Sequence, residues 1–279
     1  MEIKADLMNH PHFYSPQDSD RVPPLMEIVG GYEDRELRIA ALTSCHTATS
    51  GIDNRFYDYL KMEGFSHGFE VNQKEGWFAT TTKQPIIVLH TQKVRAYNGD
   101  SPIDLNVIGF PGMIAPTRDY RETAKEAKDK GAIVIVPEPS SRRGLPLTET
   151  IKLIRDGDAD AVSFSAQFSK KDYDGDRERI MYVLKRNNIN PLSVTGSNHY
   201  KFAGTSYSLF DESLLNNFSI EKLKEEIVNR RFDVHHGKVS SWDTFWSRDR
   251  YIVKSAFSNL LAGGKKREEF KSVVFPKKR

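Results

Sequence analysis

Residues 117–155 read TRDYRETAKEAKDKGAIVIVPEPSSRRGLPLTETIKLIR, and the fold class turns on them. The stretch 117–130 reads as a helix with its lysines and glutamates on one side, and Gly131 sits just past its end as a C-cap. Residues 132–136 form a continuous, largely β-branched apolar run, the pattern of a strand covered on both faces. Residues 147–155 return to helical spacing. A helix, a buried strand and a second helix joined by short links specify a parallel α/β architecture.

The same alternation extends in both directions. Strands are expected at 2–7, 38–43, 69–72, 85–90, 105–110, 161–164 and 191–195, and helices at 53–63, 176–187 and 219–229. A small-residue turn is expected at 44–51 and a Pro/Ser/Asp loop at 15–24. Strands that end in polar loops point to a parallel (β/α) barrel with its site at the C-terminal strand ends, an open doubly wound sheet being the alternative. No G-x-G-x-x-G follows a strand, and Gly263-Gly264-Lys265-Lys266 lacks the spacing and hydroxyl of a phosphate-binding loop. After Gly237 the composition shifts: Trp242, Phe245, Trp246 and Tyr251 cluster, and the end is basic. The expected organisation is a barrel domain over 1–236 and an aromatic-rich appendage with a basic tail over 237–279.

The 279 residues are 38% hydrophobic and 28% charged, a globular composition. The apolar runs are far too short to span a bilayer, so no membrane partner is expected. The opening MEIKAD has no apolar signal core, and Cys45 is the single cysteine, so no internal disulfide can form; a cytoplasmic setting is expected. A net charge of +3 does not by itself imply nucleic acid. The tail 265–279 does raise that partner, since its lysines and arginines interleave with Phe270 and Phe275; an acidic protein surface is the other option.

Polar residues gather after the strands: His10 and His12, Cys45 and His46, Glu70, His90, Asn106, Glu138, and then Asn198, His199 and Tyr200. Imidazoles and carboxylates at one end of a barrel make a metal or an acid/base site. Arg142 and Arg143, close behind Glu138, could clamp a phosphate through their planar forks.

In these positions the sequence resembles the PHP (polymerase and histidinol phosphatase) superfamily of metal-dependent phosphoesterases. Asp6-Leu7-Met8-Asn9-His10 stands where that family has Asp-Leu-His-x-His. Thr43-Ser44-Cys45-His46-Thr47 with Ser50-Gly51 resembles its Thr-Asp-His motif, and Gly68-Phe69-Glu70 its Gly-Ile-Glu. Asn106-Val107-Ile108-Gly109 fits its His-bearing strand, and Gly131 to Glu138-Pro139 its strand ending in His-Pro. Gly196-Ser197-Asn198-His199-Tyr200 resembles its closing Gly-Ser-Asp-Ala-His. The resemblance covers roughly residues 4 to 236 and implies a distorted α/β barrel.

In active members it also implies two or three zinc, manganese or iron ions, which generate hydroxide and clamp phosphate oxygens. Read without gaps, Met8, Cys45, Asn106, Glu138, Asn198 and Tyr200 replace the family's residues, and His10 and Glu70 survive. This reading predicts no metal cofactor and a binding or scaffold protein for a phosphate-containing ligand, a nucleic acid or a protein partner. His10, Glu70 and Glu138 are then the central site residues, with Arg142 and Arg143 on the phosphate. A register slipped by one residue gives instead a metal set of His10, His12, His46, Glu70, His90, Glu138 and His199, and an active phosphoesterase or nuclease. A third reading keeps the strand-end pocket for a non-metal hydrolase using His10, Glu138 and Cys45.

Overall fold

The computed structural model describes residues 1–9, 25–46, 55–81, 84–116, 118–141, 144–165, 177–196 and 203–237. The chain divides into two units, Met1–Lys238 and Val239–Arg279, and the second lies outside the described residues. So do the expected loop at 15–24 and the residues past His46 in the expected turn at 44–51; up to His46 that turn is strand.

The strands are β1 (Glu2–Asn9), β2 (Leu37–His46), β3 (Glu70–Asn72), β4 (Trp77–Ala79), β5 (Ile87–Asn98), β6 (Ser101–Ile108), β7 (Ile133–Pro137), β8 (Ala161–Ser165), β9 (Leu192–Val194), β10 (Tyr207–Asp211) and β11 (Phe232–His235). The helices are α1 (Leu25–Glu33), α2 (Arg55–Ser66), α3 (Tyr120–Asp129), α4 (Leu147–Arg155), α5 (Arg177–Arg186) and α6 (Ile220–Val228). α3 begins later than expected because Asp119 caps it, its carboxylate accepting from the Arg121 N–H at 2.8 Å. It ends at Gly131, which takes φ +79°. Ser219 caps α6 by accepting from the Lys222 N–H.

The sheet runs β11-β10-β1-β2-β5-β6-β7-β8-β9 and is nearly closed. It is mixed, which corrects the parallel expectation. β1–β2, β2–β5, β7–β8 and β8–β9 are parallel, while β5–β6 and β6–β7 are antiparallel, as are β10 against β1 and β11. The cause is a tight hairpin. Asn98 pairs with Ser101 across Gly99-Asp100, and Gly99 takes φ +58°, the positive φ that a two-residue hairpin turn demands. The strand therefore turns back at once instead of crossing over through a helix.

Between β9 and β1 the closure is made by individual hydrogen bonds rather than a ladder. The Gly196 N–H donates to the Met8 carbonyl at 3.0 Å, and the Thr195 N–H donates to Asp6 Oδ1 at 3.1 Å. β9 is joined to β10 in the same way: the Ser193 N–H donates to Ser208 Oγ at 3.1 Å, and that hydroxyl donates to the Ser193 carbonyl at 3.2 Å.

Alternation along the strands sorts the core. Ala5, Leu7, Ile39, Ala41, Ile87, Leu89, Ile108, Ile133, Ile135, Ala161, Leu192 and Val194 fill the lumen, together with Ile220, Leu223 and Ile227 of α6. α6 thus plugs the N-terminal end, next to the first lumen residues of β5, β7, β8 and β9. The approach is close enough to require glycine at position 109, where a Cβ would lie 2.6 Å from Ile220. Residues of opposite parity pack outward: Val88 against α1, and Leu105, Val107, Val134 and Val136 against α3.

Candidate binding site at the barrel mouth

With α6 at one end, the other end of the lumen lies at the C-terminal ends of the parallel strands. Its side chains change from apolar to polar there, on the same faces. On β2, Thr43 follows Ile39 and Ala41; on β8, Ser163 follows Ala161; on β6, running the other way, Asn106 precedes Ile108. All three are buried. Thr43 Oγ1, Asn106 Oδ1 and Ser163 Oγ have no hydrogen-bond partner among the described residues. Asn106 Nδ2 donates across the lumen to Met8 Sδ at 3.1 Å.

Above this layer, β5 carries Lys93 and Arg95 on the face that holds Ile87 and Leu89 lower down. Register sets Lys93 beside Cys45 on one side and Asn106 on the other, and Arg95 beside Asp104. Lys93 Nζ lies 3.2 Å from Asp104 Oδ2, and Arg95 Nε donates to Asp104 Oδ1 at 2.5 Å. Burial pushes the Asp104 carboxyl up, but Lys93 and Arg95 outweigh it and hold it below its ordinary value. Two cations therefore meet on this one carboxylate.

Glu138 stands at the same end, just past β7, buried and at φ +50°. Its N–H donates to the Ser163 carbonyl at 2.9 Å and its Oε1 accepts from the Ser165 N–H, so the side chain fastens the end of β8. Gly144 packs on the Glu138 carbonyl so tightly that a Cβ there would lie 1.9 Å from it.

The structure does not bring Glu70 to Glu138. Glu70 is exposed on β3, which pairs with β4, and β4 pairs with the N-terminal part of β5: Glu70 lies beside Ala79, and Ala79 beside Ile87. Ile87 is six residues below Lys93, ~20 Å along the strand. The barrel strand next to β2 is β5, so the Gly-Phe-Glu segment belongs to a hairpin on the wall. His90 is buried but lies on the parity that faces away from the lumen. Its Nδ1 is 3.2 Å from the Phe110 carbonyl, which also accepts from Gln92 Nε2 at 3.1 Å, so His90 does not stand in for Asn106. The backbone of His46 ends β2 beside Val94. His10, His12, Arg142, Arg143, Asn198, His199 and Tyr200 lie outside the described residues.

The described residues of the mouth hold only part of the donor set for the divalent metal cluster that the resemblance implies, since His10, His12 and His199 lie outside them. The described donors are the Glu138 and Asp104 carboxylates, a thioether already accepting from an amide, one amide oxygen and two hydroxyls, beside an ammonium and a guanidinium. Divalent ions of that kind take neutral imidazoles and carboxylates, and an adjacent cation opposes them. Among the described residues, no three His, Cys, Asp or Glu side chains stand together. A cleft of about 370 Å³ lies away from the mouth, lined by Lys128, Asp160, Asn188, Lys224 and Arg230. Lys128 there is paired with Asp160.

Two solved structures share this architecture. A lesion-specific endonuclease from Pyrococcus furiosus superposes with a TM-score of 0.53 at 13% identity, over 84% of this chain and 58% of its own. The likeness is one of fold. PsfC from Pseudomonas syringae superposes at 0.56 with 11% identity, over 94% of this chain and 99% of its own. The present chain thus spans little more than half of the endonuclease and nearly all of PsfC. No family model matches the sequence, and no curated protein matches it. No described helix is long and apolar enough to cross a membrane.

Sequence reasoning missed Lys93, Arg95 and Asp104. Their signal was present: Asn98-Gly99 marks a hairpin, and two cations at i and i+2 on one strand face one side of the sheet.

Proposed function

We propose that the chain is a PHP-like barrel that binds a phosphate-containing ligand at its C-terminal mouth without hydrolysing it. The observation that carries this reading is the pairing of Lys93 and Arg95 with a single carboxylate on the lumen face, beside Asn106 and Met8. A guanidinium fork and an ammonium on that face suit an oxyanion.

A second reading, a metal-dependent phosphoesterase or nuclease, is favoured by the fold shared with an endonuclease. It would draw on His10, His12, His46 and His199 and on zinc, manganese or iron. Elemental analysis of purified protein, with hydrolysis of a phosphate ester in added manganese or zinc, separates the two. The binding reading expects substoichiometric metal, no turnover, and phosphate binding that survives a chelator. Two tightly held metals per chain, with turnover abolished by H12A, H46A and H199A together, would establish the second. The basic tail remains a route to nucleic acid; there, loss of binding in a chain truncated after Leu261, with a steep salt dependence, is the expected mark.

A further inference from the structure

Arg95 has capacity that its own fold does not use. Asp104 takes the Nε edge of the guanidinium, and neither Nη nitrogen has a hydrogen-bond partner among the described residues. The ion pair holds the fork in one orientation, so little side-chain freedom remains to be lost on binding. The side chain is 19% exposed while Asp104 is 5% exposed, so the guanidinium is reachable but largely shielded from water. Lys93, on the same carboxylate, adds a second positive charge one strand pair deeper. Beneath them, on the same lumen face, lie the oxygens of Thr43, Asn106 and Ser163, which have no hydrogen-bond partner among the described residues. These are three further polar groups, two of them able to donate.

We infer that Arg95, with Lys93 beside it, is the oxyanion-binding residue of the mouth, taking two oxygens of a phosphoryl group on its Nη nitrogens while Asp104 holds it in place. This rests on the phosphate-binding reading and assigns its residues to β5, not to the Arg142-Arg143 turn. The recognised chemistry is a tetrahedral dianion: two fork donors and a neighbouring ammonium match several oxygens and more than one negative charge. Asp104 is a positioning residue, since it touches the cation and not the ligand.

The test is calorimetric titration of the full chain with inorganic phosphate and, separately, with acetate. Variants are R95Q, R95K, D104N and the double variant R142Q/R143Q. Phosphate is expected to bind more tightly than acetate. R95Q should weaken phosphate binding roughly tenfold to a hundredfold, the range of one or two charge-assisted hydrogen bonds. R95K keeps the charge and the Asp104 contact but lacks the fork, and should show an intermediate loss, which a purely structural role for Arg95 would not give. D104N should weaken binding less than R95Q while the ratio of phosphate to acetate affinity falls. If R95Q and R95K bind phosphate as the parent does and R142Q/R143Q does not, the assignment to β5 is wrong and the phosphate-binding reading stands. If the folded parent chain binds no phosphate, both fall.

Discussion

At the seam, where β9 approaches β1 and β10, the buried polar groups Asp6, Ser193, Thr195 and Ser208 all have partners. At the mouth, Thr43, Asn106 and Ser163 are just as buried, and each carries an oxygen with none among the described residues. The two regions share a barrel, comparable burial and similar residue types, so the difference lies in what each is built against. The seam's polar groups face other parts of the same chain and replace the missing ladder between β9 and β1. The mouth's face the lumen, with cations above them. An unmet buried polar group costs on the order of 1–3 kcal/mol, so a fold carries such groups at little benefit unless something outside the fold meets them.

The largest expected effect breaks the seam. Asp6 accepts from the N–H groups of Thr195 at 3.1 Å and Gly204 at 2.9 Å. Asp6→Ala strands both donors in a buried place and should cost about 4 kcal/mol in urea unfolding. A loss below about 1 kcal/mol would show that the seam is not held this way.

The next effect is pH-dependent. Burial raises the Asp6 carboxyl from 3.8 to about 6, although the N–H groups of Gly204, Thr195 and Met8 pull it down. The folded chain therefore keeps this proton where the unfolded chain has released it. The group's contribution to stability is fully present below about pH 4 and is lost as pH rises through about 6, by ~3 kcal/mol at most. Carboxylates held low, such as Asp104, slope the other way. The measurement is accordingly the difference between parent and Asp6→Asn across pH 4 to about 7. Asn cannot titrate, and a difference flat with pH would contradict the assignment.

The smallest effect sharpens the contrast. Ser193 Oγ donates to the His235 carbonyl at 2.9 Å, so Ser193→Ala should cost ~1 kcal/mol. Thr43→Val removes a hydroxyl with no partner among the described residues and keeps the shape; it should be neutral or slightly stabilising by thermal denaturation. Equal losses in the two variants would erase the distinction between seam and mouth.

Element types were legible where a pattern is local. α4 begins and ends at 147 and 155 as its apolar spacing indicates, and the run 132–136 lies in β7 displaced by one residue. α1, the short β4 and β11 escaped sequence reasoning, because their apolar residues answer to partners far along the chain: Trp77 to Leu89, and Phe232 to Phe210. Of the candidate site, Glu138 was placed at the correct end of its strand. Glu70 was not, since a Gly-x-Glu pattern says nothing about which strand pairs with β2.

The local sequence was sufficient for the α/β class, the extent of α4 and the strand character of the barrel wall, because each depends on residues within a few positions of one another. The antiparallel turn was also in the sequence, in Asn98-Gly99, as a local property of backbone φ. Only the tertiary structure decided that β5 rather than β3 lines the lumen, that Asp6 joins residues 189 and 198 positions away, and that Lys93 and Arg95 converge on Asp104. Those facts depend on register and closure. They are set by many weak contacts acting together across the whole sheet, and a one-residue change in register would turn the same side chains to the opposite face.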